Sequence, residues 1–236
     1  MKRLAFLIGG TYRTSDNNLP GVVADIRAWK KFLSSSFGGS WTDDEIIDLS
    51  GKDKAAISVE LGRGAGVDYS LVCFSGHGCL VKDRFGFSVT KVLITDRDEM
   101  LEYELNPGSP WCTMVFDCCR KLPIEEKVAF ANETITPPWI DDTRTRFEEE
   151  LRKCERGLVK VFAADVGEAA ADNRSFSRVL ISVAQNLDNY SDGVLRINKA
   201  VQLAGEAMPK QQNPVYEGGR RLRHFPFAVL PKSNRL

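Results

Sequence analysis

The sequence predicts an α/β fold with a mostly parallel central sheet of about six strands and helices on both faces. Two patterns lead to this prediction. Short apolar runs alternate along the chain with segments whose apolar residues recur at helical spacing. The runs at 69–74 and 112–117 are strongly apolar and bounded by Gly or Pro, which is typical of strands buried on both faces. Strands that alternate with helices favour a parallel sheet covered on each side.

Each predicted element follows from one of these patterns. The run 3–8 is rich in β-forming residues, whereas 20–35 repeats apolar side chains at helical spacing. Residues 141–154 carry apolar side chains on one helical face, which indicates a helix with a solvated opposite face. The stretch 122–140 contains three prolines and is predicted to be a long loop. The remaining predicted strands are 45–49, 158–164 and 225–230, and the remaining helices are 52–61, 176–187 and 197–207.

Composition argues against several functional classes. Lys plus Arg and Asp plus Glu both number 32, so no net charge would attract nucleic acid or an anionic membrane. No apolar run approaches the roughly 20 residues that span a bilayer. The N-terminal apolar run covers only 4–8 and no small-residue cleavage site follows, which argues against a signal peptide. We therefore expect a cytoplasmic protein with reduced cysteines and without nucleic-acid or membrane partners.

Two predicted strands end in residues that could perform nucleophilic catalysis. His77 lies between two glycines directly after strand 69–74, and Cys118 and Cys119 follow strand 112–117. The carboxyl ends of neighbouring parallel strands meet at one edge of a sheet, so His77 and one cysteine could form a dyad. Flanking glycines allow a sharp turn and leave backbone N–H groups open as oxyanion donors.

Three other interpretations of these residues remain open. A single histidine at a strand end is more often structural, and a cysteine pair beside an apolar strand more often belongs to the core. A zinc site built from Cys73, His77, Cys79 and either Cys118 or Cys119 is weaker, because Cys73 lies inside a strand and no CxxC pair is present. A histidine after one strand together with a cysteine after another favours the dyad.

The segments FSGHG and VFDCCR, taken in order, resemble the catalytic motifs of caspase-like cysteine peptidases, particularly metacaspases and their bacterial relatives. The interval from His77 to Cys119 is close to the roughly 50 residues typical of caspases. Further segments that resemble the family are RLAFLIG, LPGVVADIRAWKKFL, GLVKVFAADVGEAA and NPVYEGGRRLRHFPFAV. The resemblance therefore covers nearly the whole chain.

This resemblance implies a caspase-like three-layer sandwich formed by one peptidase domain over residues 1–236. Within it, residues 1–121 would form a large-subunit-like half that carries the dyad. Residues 122–157 would form a connecting loop and helix, and residues 158–236 a small-subunit-like half.

The resemblance also implies the catalytic roles. Cys119 would be the nucleophile and His77 the general base and later acid. The backbone N–H groups of Gly78 and Cys119 would form the oxyanion hole. Cys118 should point away from Cys119, because side chains alternate along a strand. The second histidine, His224, is expected to be structural.

A specificity pocket is implied in the same way. Asp25 and Asp117 match the two carboxylates that form an acidic pocket for Arg or Lys in metacaspases, and Ser75 would line the same pocket. Two buried carboxylates favour a cationic side chain and repel an acidic one. For Asp25, a purely structural role on the first helix is the alternative.

The sequence departs from the family pattern at three places. Val22 stands where metacaspases carry Cys, and Arg120 and Lys121 stand where caspases have Gly or many metacaspases have Ser-Gly. The segment ADVGEAA lacks the tandem acidic pair of calcium-dependent metacaspases. We therefore expect no metal and no cofactor.

The implied function is a cysteine endopeptidase that cleaves proteins after Arg or Lys through an acyl-enzyme. Protein substrates are the expected partners, together with an activating protein, and family analogy points to bacterial defence or cell suicide. The alternative is a catalytically quiet caspase-like domain that acts as an interaction module. The presence of both His77 and Cys119 favours the enzyme.

Overall fold

The computed structural model describes residues 1–12, 19–120, 142–168, 175–210 and 212–232. Its strands are β1 (Arg3–Gly9), β2 (Ile46–Asp48), β3 (Tyr69–Ser75), β4 (Gly78–Lys82), β5 (Ser88–Leu93), β6 (Glu99–Leu101), β7 (Trp111–Asp117), β8 (Gly157–Phe162), β9 (Val194–Arg196), β10 (Val215–Glu217) and β11 (Pro226–Val229). Its helices are α1 (Gly21–Ser34), α2 (Lys54–Leu61), α3 (Asp142–Arg152), α4 (Phe176–Val183) and α5 (Ile197–Ala207). None of these helices is both long and apolar enough to cross a membrane.

The central sheet has six strands in the order β10-β8-β7-β3-β1-β2. Five of them run parallel, and only the edge strand β10 is antiparallel to its neighbour β8. The prediction of a mostly parallel sheet of about six strands is thus confirmed. β3 and β7 are neighbours in the centre, and their last residues, Ser75 and Asp117, pair with each other. The carboxyl ends of these two strands therefore meet at one edge of the sheet.

Alternation along the strands divides the core into two clusters, one on each face of the sheet. Leu7 and Val115 belong to the cluster that contains Trp29 of α1 and the buried faces of α3, α4 and α5. Phe6 and Phe116, one position along in each strand, belong to the cluster that α2 and β5 cover. Successive side chains of a strand point to opposite faces, so each strand contributes to both clusters. Helices on both faces are confirmed.

Two features differ from the sequence-based expectation. Residues 78–101 form a three-stranded antiparallel sheet, β4-β5-β6, which was not predicted. Its strands are only half-buried, and their charged residues weaken the apolar pattern that identifies a strand.

The second difference concerns the strand predicted at 225–230. It forms as β11, but it pairs with β9 in a separate two-stranded sheet and not with the central sheet. Phe227 stacks on Phe32 of α1 with ring centroids 5.0 Å apart, which holds β11 in the helical layer. The short strand β10 completes the central sheet instead. The loop predicted at 122–140 lies outside the described residues.

Candidate active site

The turn after β3 fixes the backbone of His77 on both sides. The His77 N–H donates to Tyr12 Oη at 2.7 Å, and the His77 carbonyl accepts from Leu93 N–H at 3.0 Å. Tyr12 Oη in turn donates to the Leu93 carbonyl at 2.8 Å, and the Tyr12 and His77 rings lie 4.7 Å apart at a tilted angle. A Cβ on Gly76 would lie 2.7 Å from Tyr12 Oη. Only glycine at position 76 therefore lets the Tyr12 hydroxyl approach the turn backbone this closely.

The cysteine pair that follows β7 is divided between the core and the site. Cys118 continues the alternation of β7 and is 2% exposed in the core cluster beneath α2. Burial raises the pKa of the Cys118 thiol well above its usual range, which disfavours the reactive thiolate. Cys119 is half-buried and thus more accessible than Cys118. Of the two thiols, Cys119 is the better candidate nucleophile.

Gly78 brings the two strand ends into contact. A Cβ at this position would lie 2.6 Å from Cys118 Sγ and 3.1 Å from the Cys119 carbonyl oxygen. The Gly76 N–H also donates to the Asp117 carbonyl across the strand ends at 3.1 Å. The residues after β3 and β7 are therefore packed directly against each other, which brings the backbone next to His77 close to the cysteine pair.

The zinc alternative does not fit this arrangement. Cys73 belongs to the core cluster beneath α1, whereas Cys118 belongs to the cluster on the opposite face of the sheet. Among the described residues, no group of three His, Cys, Asp or Glu side chains could hold a metal ion. The proposed ligands Cys73 and Cys118 do not converge, which argues against the zinc interpretation. All six cysteines are free thiols.

The predicted acidic pair lies on the α1 face, next to the strand ends. Ser75 Oγ donates to Asp25 Oδ2 at 2.6 Å, which joins β3 to α1. Asp117 Oδ2 accepts from Ser175 Oγ at 2.8 Å and from the Ser177 N–H at 2.7 Å, which joins β7 to α4. Both carboxylates are buried, at 3% and 7% exposure. The structure thus brings Asp25, Asp117 and Ser75 together.

The two carboxylates hinder each other's ionisation. Burial, reinforced by the charge of Asp117, raises the pKa of Asp25 to about 7. Hydrogen bonds from Ser175 and Ser75 and the charge of Arg178 oppose this shift without cancelling it. Burial also raises the pKa of Asp117, although the Ser177 N–H opposes the shift. A cation beside the pair would favour ionisation of both carboxyl groups.

The chain itself supplies such a cation, in a residue that sequence reasoning missed. Arg178 Nε donates to Asp25 Oδ1 at 3.0 Å from the first turn of α4. A cation in the first turn of a helix opposes the helix dipole, but the sequence pattern does not show which carboxylate it pairs with. Tyr12 was also missed, because its role depends on two loops that are distant in sequence.

The segment after Cys119 is anchored despite its departure from the family pattern. The Arg120 guanidinium lies 4.0 Å from the ring centroid of Phe162 at the end of β8. The Arg120 N–H donates to the Glu168 carbonyl, and the Arg120 carbonyl accepts from the Gly167 N–H, both at 3.0 Å. Arg120 thus fixes the backbone directly after Cys119 to the neighbouring strand end. Lys121 lies outside the described residues.

The second histidine lies in a different environment. His224 Nδ1 shares a hydrogen bond with Tyr216 Oη of β10 at 2.7 Å. Burial, together with the nearby charges of Arg221 and Arg196, lowers the pKa of His224. Its partners belong to the edge strand and the C-terminal segment, whereas His77 lies at the centre of the sheet.

Comparisons with known proteins agree with this architecture. The chain resembles metacaspase-1 of Debaryomyces hansenii (21% identity over 100% of this chain and 58% of that protein) and metacaspase-7 of Arabidopsis thaliana (28% identity over 76% and 50%). It therefore spans about half the length of these relatives.

Solved structures share the fold at low sequence identity. Protein GSU0716 of Geobacter sulfurreducens matches with a TM-score of 0.59 and 15% identity, covering 98% of this chain and 100% of that one. Caspase-1 of Spodoptera frugiperda matches with a TM-score of 0.58 and 13% identity, covering 100% and 92%. The caspase-like three-layer sandwich is thus confirmed. The model of the caspase domain family matches residues 2–225, so the chain belongs to the caspase domain family of cysteine peptidases.

Proposed function

We propose that the chain is a cysteine endopeptidase in which Cys119 is the nucleophile and His77 the general base and acid. The observation that carries this proposal is the packing of Gly78 against Cys118 and Cys119, which joins the ends of β3 and β7. Of the two cysteines, Cys119 is the more exposed. Family membership supports the same chemistry.

The proposed reaction follows from these positions. His77 takes the thiol proton, and the Cys119 thiolate attacks the carbonyl carbon of the scissile peptide. The backbone N–H groups of Gly78 and Cys119 stabilise the oxyanion of the tetrahedral intermediate. His77 then protonates the leaving amine, which leaves an acyl-enzyme. Water activated by His77 hydrolyses the thioester and restores the free thiol.

The acidic pair of Asp25 and Asp117 supports cleavage after Arg or Lys. Ser75 and Asp117 each precede a residue of the proposed dyad by two positions, which supports a location of the acidic pair near that dyad. Burial raises the pKa of both carboxyl groups, and entry of a cationic side chain would favour their ionised forms. An acidic substrate side chain would add to that repulsion.

We also propose a cytoplasmic location and control by another protein. The free state of all six thiols favours a reducing compartment. Control by a partner rests on family analogy alone, as does a role in defence or cell suicide.

A fluorogenic peptide panel, with Arg, Lys, Asp or Leu before the cut, tests the proposal. We expect cleavage of the Arg and Lys peptides only, with loss of activity in Cys119→Ala and His77→Ala. Cys118→Ala and His224→Ala are the matched controls and should stay active. Activity that survives in Cys119→Ala would contradict the assignment of the nucleophile. If a folded wild-type protein cleaves none of the peptides, even with candidate activators, the interaction-module alternative is favoured.

A further inference from the structure

The acidic pair already holds a guanidinium group from the chain itself. Arg178 Nε lies 3.0 Å from Asp25 Oδ1, and the Arg178 side chain is 20% exposed whereas that of Asp25 is 4% exposed. The arginine is therefore the more solvent-exposed partner of this ion pair. A substrate cation that binds Asp25 would have to share or replace this contact with Arg178.

The first turn of α4 brings Arg178 to this position. Ser175 and Ser177 both contact Asp117, and the next residue, Arg178, reaches across to Asp25. One helical turn thus contacts both carboxylates of the pair. Phe176 and Leu180 are fully buried and anchor α4 to the core.

The charges at the site leave little attraction for a second cation while Arg178 is bound. Asp25 has a pKa of about 7 and is therefore partly protonated at neutral pH. The positive charge of Arg178 balances much of the negative charge that remains on the pair. A second guanidinium would meet the first as a like charge in a partly desolvated site.

We propose that Arg178 is a specificity-determining residue that occupies the acidic site as an internal competitor, and that a basic substrate side chain enters only by displacing it. This inference rests on the proposed cleavage after Arg or Lys. Because the side chain is partly exposed and the helix is anchored by other residues, Arg178 can rotate into solvent without unpacking α4. An incoming Arg replaces the lost hydrogen bond to Asp25 with one from an equivalent planar group, whereas Lys offers only a point charge. Arg178 thus favours Arg over Lys in the substrate.

Steady-state kinetics at pH 8 with Arg and Lys peptides tests this inference. Arg178→Gln should lower KM for the Arg peptide by roughly tenfold with little change in kcat, since a charge-assisted hydrogen bond corresponds to about that change in binding. KM for the Lys peptide should fall further, which narrows the preference for Arg. Arg178→Lys should give a smaller decrease in KM for both peptides. This second variant keeps the test valid if Arg178→Gln does not fold. An unchanged or increased KM in the folded variants would overturn the inference.

Arg196→Gln is the matched control. Arg196 also forms a part-buried ion pair from a helix N-terminus, at 3.3 Å from Glu150, but its partners are Glu150 of α3 and the His224 carbonyl, outside the acidic pair. Its loss should leave KM for both peptides unchanged. An equal fall of KM in Arg196→Gln would assign the effect to general loosening and overturn the role of Arg178.

A binding measurement without catalysis separates this inference from the proposed function. In a Cys119→Ala background, ethylguanidine should raise the Tm of Arg178→Gln more than that of the form that keeps Arg178. The added substitution Asp25→Asn should abolish this response. If the wild type cuts no basic peptide, the proposed specificity fails, while the Tm comparison still tests occupation of the site by Arg178. If basic peptides are cut but Tm responds equally in both forms, the proposed function stands and the inference fails.

Discussion

At the scale of single residues, Tyr12 shows how one hydroxyl can position the proposed catalytic histidine. Its oxygen accepts from the His77 N–H and donates to the Leu93 carbonyl, so it links the end of β1 to the histidine and to the end of β5. Its ring packs beside the imidazole of His77. Tyr12 is therefore a positioning residue in the proposed mechanism and does not itself react.

Tyr12→Phe should lower kcat by roughly tenfold or more, because two backbone groups each lose a part-buried hydrogen-bond partner. The ring that packs on His77 is retained, so KM should change little. The measurement is the pH dependence of kcat. If the position of His77 changes, this pH profile should also shift along the pH axis. Tyr216→Phe, which removes the hydroxyl beside His224, is the control and should keep normal kcat. A loss of Tm with unchanged kcat would indicate a merely structural role for Tyr12.

The sequence pattern pointed to the residues of the candidate site that lie at strand ends and missed those that reach it from elsewhere. His77, Cys119 and Asp117 directly follow or end apolar strands, and a parallel sheet collects such residues at one edge. Tyr12 and Arg178 act through contacts between segments distant in sequence. Neither spacing nor periodicity encodes such contacts, so only the folded structure reveals them.

At the scale of elements, Asp117 is part of the N-terminal cap of α4. The helix presents its Ser177 N–H and the hydroxyl of its N-cap residue Ser175 to one carboxylate oxygen of β7. Asp117 therefore has a structural role in addition to the proposed specificity role. The cap explains why α4 begins at Phe176 and why its first turn lies over the acidic pair.

Asp117→Ala should destabilise the protein by about 1–3 kcal/mol, because it leaves two buried donors of α4 without an acceptor. Asp117→Asn keeps an acceptor oxygen and removes the repulsion with Asp25, so it should be at least as stable as the wild type at pH 8. Urea unfolding midpoints of the two variants test this difference. Both variants should lower kcat/KM for Arg peptides. Equal stability of the two variants would contradict the capping role.

Whether the sequence pattern identified a strand depended on how deeply that strand is buried. The central strands β1, β3 and β7 are buried along almost their whole length, and their apolar runs identified them to within two residues. The half-buried strands β4 and β10 gave no comparable signal. The pairing of β11 with β9 follows from packing against α1, which the sequence pattern of β11 alone does not contain.

At the scale of the whole molecule, the acidic pair should make folding stability depend on pH. An Asp in an unfolded chain has a pKa near 3.9, whereas burial and Asp117 raise the pKa of Asp25 to about 7. Asp25 faces Asp117 from β7, Arg178 from α4 and the hydroxyls of Ser75 and Ser175. Between about pH 4 and 7 the folded state therefore binds more protons than the unfolded chain through this group.

The contribution of Asp25 to the free energy of unfolding should accordingly fall as pH rises from 4 to 7 and level off above 7. Asp117 contributes in the same direction, because its pKa is also raised. Urea unfolding of wild type and Asp25→Asn at pH 5 and pH 8 measures this effect. The loss of stability between the two pH values should be smaller in the variant. An identical loss in both proteins would show that Asp25 does not titrate as inferred.

The order of strands in the central sheet has a consequence for chain scission. β7 precedes the segment 121–141 and β8 follows it, yet the two strands are neighbours that pair over six positions. Arg120 adds further contacts across the same junction. A cut within 121–141 would therefore yield two polypeptides that share one sheet and one core. The protein could lose the continuity of its chain there and remain a single folded particle, held together without a covalent link.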